Sequence, residues 1–326
     1  MPTRREFVAA AAALAAFPVC AQDKGARTWR IGVLDPVNEP ANGAAMQELR
    51  KALADLGYAE AKNLRIEYRS ADGRQERFAG LAGELSRLNV ECIVANGTPA
   101  ALAAKQAAPS IPVVTALALD PVDTGLVASL EKPGGNVTGI AVLTAEVEKK
   151  RLEFLRALAP GRKRIALLVN MGNPALAATS KTMQAAAASL GMQPEIFDTR
   201  RPADVTRAMA TAKDKGFEAL VMRVGALTDA DRDRVIMDAA QHKLPAIYAQ
   251  RSFVEAGGMA SYGINVTYNF GRAAGFVDKV LKGAKPGELA MEQPAKFELV
   301  INRRTLRALG LVIPPDVLLR SDEVVG

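Results

Sequence analysis

From Trp29 onward, short β-like runs alternate with longer segments in which apolar residues recur at the helical period. In the first half, residues 30–34, 64–68, 90–95, 112–116 and 137–141 read as strands. Between them, 42–56, 75–88 and 99–107 read as helices. The first of these helices places Ala45, Leu49, Leu53 and Leu56 on one face and stops at Gly57. Strands alternating with helices of this size predict a parallel sheet covered on both faces.

The pattern then restarts. Residues 164–169 repeat the form of 30–34: a charged start, an apolar strand, a polar loop and a long helix. Further strands are expected at 195–198, 219–223, 246–248 and 259–262. Helices are expected at 176–190, 203–215, 229–242 and 267–281. A last strand at 297–301 precedes Asn302, which is placed to cap a short helix ending at Gly310. The chain therefore reads as α/β, with two doubly wound lobes joined by a hinge. The expected divisions are an N-terminal lobe at 29–143, a hinge or crossover at 144–160 and a C-terminal lobe at 161–290. A tail, 291–326, is expected to return across the hinge. Two such lobes suit closure around a ligand. Open α/β sheets bind ligands outside the carboxyl ends of their strands, so the loops there supply the candidates.

In the first lobe those loops offer Pro36, then Asn96 and Thr98 in Asn96-Gly97-Thr98-Pro99, then Asp120. Thr98 stands where an N-cap is expected, with Pro99 at the first helical position. That helix start could hold a carboxylate or simply be well capped. Asp120 could meet a ligand ammonium or cap the next turn. In the second lobe Asn173 can cap a helix or offer a donor and an acceptor. Arg223 could pair a carboxylate bidentately or lie solvated at the surface. Arg251 and Tyr262 close the remaining strands, and Tyr262 could stack on a flat ligand or pack inside.

Composition adds little against this picture and removes some alternatives. The chain has 326 residues, 49% hydrophobic and 24% charged, enough for two domains with real cores. The net charge of +7 is spread along the chain among acidic residues, which argues against a nucleic-acid-binding stripe. His242 is the sole histidine, and no metal-ligand spacing, Gly-x-Ser-x-Gly elbow or phosphate-binding loop occurs. No cofactor is expected, and an enzyme on this scaffold or a sensory module is the alternative function. Cys92 lies in an apolar run and reads as a small core residue.

The N-terminus reads as an export signal covering residues 1–21. Arg4-Arg5 precede a short apolar run from Val8 to Val19, below the roughly 20 residues that span a bilayer. Residues 3–7 resemble a twin-arginine signal, with an ordinary secretory signal as the alternative. Acylation at Cys20 is a further reading, and the bulky Val19 before it argues against it. The expected location is the periplasm.

The loop sequences also carry a resemblance. Ile-Val-Ala-Asn-Gly-Thr-Pro-Ala-Ala at 93–101, Asp-Pro-Val at 120–122 and Pro-Gly-Gly-Asn-Val-Thr-Gly at 133–139 come in an order that resembles ABC transporter substrate-binding proteins of the tryptophan-binding, TrpX-like type. Leu-Pro-Ala-Ile-Tyr at 244–248, Phe-Val-Glu-Ala-Gly-Gly at 253–258, Ser-Tyr-Gly at 261–263 and Gln-Pro-Ala-Lys-Phe-Glu-Leu-Val-Ile-Asn at 293–302 fit it too. The resemblance implies a type I periplasmic-binding-protein fold and a ligand in the cleft. It also implies membrane permease and ATPase subunits as partners. The chain is expected to be a monomer. It places Thr98, Asp120 and Asn173 at the cleft, with the loops at Pro36, Arg223 and Tyr262 facing it. Leu119 and the run Arg223-Val224-Gly225 depart from the family pattern and argue against an aromatic ligand.

Overall fold

A computed structural model describes residues 27–60, 62–223 and 229–326. The expected signal, residues 1–21, lies outside the described residues, as do Val224 and Gly225.

The first lobe opens with β1 (Trp29–Asp35), α1 (Gly43–Asp55), β2 (Leu64–Ser70), α2 (Phe78–Arg87), β3 (Cys92–Asn96), α3 (Thr98–Ala107), β4 (Val113–Leu119) and β5 (Val137–Val142). The strands pair in the order β2-β1-β3-β4-β5, all parallel. Both faces of the central strands are covered, which is why β3, β4 and β5 are apolar along most of their length, whereas the edge strand β2 alternates with Arg65, Glu67 and Arg69. Ile31, Val33, Cys92 and Val94 pack into one core. Leu34, Ile93 and Ala95 pack into the other, beneath α2 and α3. Gly139 is required where β5 meets β4: its φ is +119°, and a Cβ there would lie 2.4 Å from the Thr115 carbonyl oxygen.

The chain then enters the second lobe with α4 (Thr144–Leu158), β6 (Arg164–Val169), α5 (Pro174–Ser189), β7 (Gln193–Asp198), α6 (Pro202–Asp214), β8 (Ala219–Arg223), α7 (Asp229–Gln241), β9 (Ala246–Tyr248), α8 (Arg251–Glu255) and β10 (Ala260–Ile264). After α9 (Val266–Leu281) come β11 (Phe297–Asn302), α10 (Arg303–Ala308), α11 (Pro315–Leu319) and β12 (Glu323–Val325). The second sheet runs β12-β11-β10-β9-β8-β6-β7. It is parallel from β7 to β10, and β11 is antiparallel to β10. Ile165, Leu167 and Val169 face α4 and α5, whereas Ala166 and Leu168 face α6 and α7. The two-lobed doubly wound architecture is as the sequence pattern predicts.

The expected divisions between lobes differ in three places. Helix α4, expected as a hinge segment, packs Val147, Leu152, Leu155 and Leu158 into the second core. Helix α9, expected in the second lobe, lies on the first sheet: Phe270, Ala273, Ala274 and Val277 share a core with Ile31 and Val33. The Tyr58 hydroxyl donates to Asp278 on α9 at 2.9 Å. The chain stays on the first lobe as far as Glu292, whose carbonyl accepts from Ala141 N–H at 2.8 Å. The tail from Phe297 does not return to that lobe; β11, α10 and α11 pack Leu299, Ile301, Leu306 and Val317 into the second core. Three connections therefore join the lobes: 142–144, 264–266 and 292–297. An amphipathic stripe states that a helix face is buried, but not which sheet it meets.

Candidate functional site

Each sheet reverses its strand order once, and that reversal is where a doubly wound sheet opens a crevice. In the first lobe it falls between β1 and β3, and in the second between β6 and β8. The residues at the carboxyl ends are Asp35 and Asn96 in one, Asn170 and Arg223 in the other.

The first edge is organised by Asp35, which is fully buried. Its Oδ2 accepts from Asn42 Nδ2 at 2.7 Å and from Asn96 Nδ2 at 3.0 Å, and its Oδ1 from Val37 N–H at 2.9 Å. Burial pushes the Asp35 carboxyl up to about 6, against these three donors, which pull it down. The Tyr68 hydroxyl donates to the Val37 carbonyl at 2.8 Å and fixes the loop that holds Pro36. Sequence reasoning chose Pro36 and Asn96 but passed over Asp35 and Asn42. The available signal was a carboxylate closing the apolar run Ile31–Leu34.

Thr98 differs from its expected role. Gly97, with φ +98°, precedes the helix as its N-cap, and Thr98 is already helical. The Thr98 hydroxyl donates to the Leu119 carbonyl at 3.1 Å and accepts from Leu119 N–H at 2.8 Å. It ties α3 to the end of β4.

Asp120 follows β4 in the left-handed region, φ +44°, which Asp tolerates better than most residues. Its Oδ1 accepts from Thr144 N–H at 2.9 Å and its Oδ2 from the Thr144 hydroxyl at 2.6 Å. The carboxylate thereby caps α4 across the first interlobe connection. Burial raises its pKa while Thr144 opposes the rise.

The second edge is built of ions. Arg223 is buried, not solvated. Its Nε lies 2.8 Å from Glu148 Oε1, and its Nη1 donates to the Thr179 hydroxyl at 3.3 Å. Glu148 Oε2 also receives Arg151 Nη1 at 2.5 Å, and Arg151 Nε donates to the Tyr262 carbonyl at 2.9 Å. Burial acts against the Arg223 charge, and Glu148 supports it. The Arg223 Nη2 atom is buried without a hydrogen-bond partner. Glu148 and Arg151 were not chosen from sequence, since the charged run that holds them read as a hinge; in the structure they stand at i, i+3 on α4. Asn173 caps α5 by accepting from Ala175 N–H at 3.1 Å, and Asn170 Oδ1 accepts from Gly172 N–H at 2.9 Å. A methyl group added to Gly172 would sit 3.8 Å from Gln75 Oε1, so the two lobes meet here across the cleft.

Two other candidates lie elsewhere. The Tyr262 ring is in the second core, 5.0 Å from Phe154 and 6.2 Å from Phe297 between centroids. The alternation of β10 turns it away from the cleft. Arg251 pairs with Glu255 and with Glu323 on β12, each at 2.6 Å, and ties α8 to the tail. Cys92 is buried and free.

Comparison with known proteins agrees with this geometry. A family model described as ABC transporter substrate binding protein matches residues 30–325. The chain is 28% identical over 282 residues to a tyrosine-binding protein of Clostridioides difficile, covering 86% of this chain and 81% of that protein. A Streptococcus pneumoniae ABC domain solved in complex with L-Trp is 26% identical, with a TM-score of 0.84, over 91% of this chain and 100% of that one. The ligand-free, open structure of a substrate-binding protein with adhesive properties from Clostridium difficile is also 26% identical. It covers 91% of this chain and 99% of its own, with a TM-score of 0.65.

Proposed function

The chain belongs to the ABC transporter substrate-binding protein family, and from that membership we propose an exported receptor that closes on a small amino-acid-like carboxylate and delivers it to an importer. The observation that carries the ligand class is Arg223. It stands at the carboxyl end of β8 beside the crevice, and one of its guanidinium nitrogens has no partner. A guanidinium so placed suits a carboxylate, which it meets by charge-assisted hydrogen bonds. Asn96, Asn170 and Asn173 add short polar groups, and Asp35 and Asp120 add negative charge suited to an ammonium. Relatives that bind tyrosine and tryptophan support an amino acid as ligand. With Tyr262 inside the core, the described edges read the head group of the ligand rather than a flat side chain.

Hinge closure is supported by the three connections and by the closeness of Gln75, on the first lobe, to Gly172, on the second. At equal identity, the higher TM-score against the L-Trp complex than against the open structure points the same way. Export rests on the residues 1–21 pattern. Among the described residues no helix is long and apolar enough to cross a membrane. The partners in this reading are the permease and ATPase of the importer.

A thermal-shift screen of the twenty L-amino acids and simple carboxylates tests it. A binder raises Tm by mass action. Arg223→Lys is expected to weaken that binder at least tenfold while leaving its decarboxylated amine unaffected. A screen without hits, or turnover of any screened compound, would overturn the receptor reading.

A further inference from the structure

Helix α9 leaves the second lobe, crosses at Asn265 and lies on the first sheet beside α1. Its buried stripe runs through Phe270, Ala273, Ala274, Val277 and Leu281, all apolar. Asn269 belongs to the same stripe and is 1% exposed, yet neither its Oδ1 nor its Nδ2 has a hydrogen-bond partner. A buried carboxamide with both ends unused is costly, and an apolar residue would complete the stripe without that cost.

Its level in the lobe is fixed by α1. A Cβ on Gly271 would come 3.0 Å from Glu48 Cγ, and Tyr58, just past α1, bonds Asp278 late in α9, so the two helices, starting at Val266 and Gly43, begin at the same end of the sheet. That end holds Asn42 against Asp35, at the carboxyl edge of the strands. Asn269 thus lies in the first turn of α9, toward the cleft, on the sheet face that carries Asp35 and Asn96. α9 packs on β4, whose register against β5 shifts between Thr115 and Ala118, an irregularity of the kind found beside binding sites.

We infer that Asn269 is a ligand-contacting residue of the first lobe, its carboxamide reading an α-amino-acid head group. The oxygen accepts from the ligand ammonium, and the amide nitrogen donates to the ligand carboxylate. This rests on the receptor reading above and adds a residue from the helix that the second half of the chain lends to the first lobe.

Calorimetry with L-tryptophan, L-tyrosine and any amino acid found by the screen tests it on wild type, Asn269→Leu and Asn269→Ser. Affinity is expected to fall at least tenfold in both variants, with the ligand-free Tm of Asn269→Leu equal to or above wild type. Replacing the amino acid by its deaminated acid should shrink the difference between wild type and variant. Wild-type affinity, within twofold, in either folded variant overturns the inference and leaves the receptor reading standing. Failure of wild type to bind any amino acid removes both.

Discussion

The two crevice edges occupy equivalent places in equivalent folds and are filled by different chemistry. At the first, a single buried carboxylate is held by two amides and a backbone N–H, and its pKa rises to about 6. At the second, Glu148 lies between Arg223 and Arg151, and its attraction for each offsets part of the cost of burying all three, while the two guanidinium groups repel each other. Hydrogen bonds from neutral donors compensate a carboxylate only in part, so its charge remains sensitive to proton concentration. An ion triad is compensated by charge, so it depends on all its members being present.

The largest test removes the shared partner in the triad. Glu148→Gln leaves two buried guanidinium groups without a counter-charge, and a loss of about 3–5 kcal/mol is expected from denaturant unfolding. A loss below about 1 kcal/mol would mean that the triad is not what holds the second edge.

The next test concerns the first edge and pH. The Asp35 pKa is raised on folding from 3.8 to about 6, so between those values the folded state binds more protons than the unfolded. The contribution is fully present below about 4 and is lost as pH rises through 6. Stability of wild type relative to Asp35→Asn should therefore fall across that window, by about 3 kcal/mol at most. A flat difference between the two unfolding curves from pH 4 to 7 would show that Asp35 is not protonated in the fold.

The smallest expected effect gives the scale. Arg251 also pairs with two carboxylates, but its side chain is 39% exposed. Arg251→Ala should cost no more than about 1 kcal/mol, since exposed ion pairs are weakened by water and salt. If it cost as much as Glu148→Gln, burial would not be the variable that separates these sites.

Much of the fold was open to reading. Strands β1, β3 and β8 and the helices between them follow from apolar runs broken by Gly57, Gly97 and similar residues, and the Asn173 and Asn302 caps fall where expected. Of the candidate site residues, Asn96, Asp120, Asn173 and Arg223 stand at the carboxyl edges of the sheets. Thr98 stands there too, with its hydroxyl turned to the main chain of β4. Tyr262 was misread because the strand was taken to end there, whereas β10 runs on to Ile264 and Tyr262 stands at its centre on the core face. The partners of Arg223 were missed because Glu148 lies 75 residues away and on what read as a linker.

The sequence by itself determined the alternation of strand and helix, the restart of the pattern near residue 164 and the burial of the central strands on both faces. These are local consequences of side-chain periodicity and backbone preference. Only the tertiary structure decided that α9 covers the first sheet, that α4 brings Glu148 beneath Arg223, and that Asn269 is buried with its carboxamide unused. Those depend on which surfaces meet. A stripe of apolar residues fits any complementary sheet, so chain crossing and packing, not local pattern, select the partner.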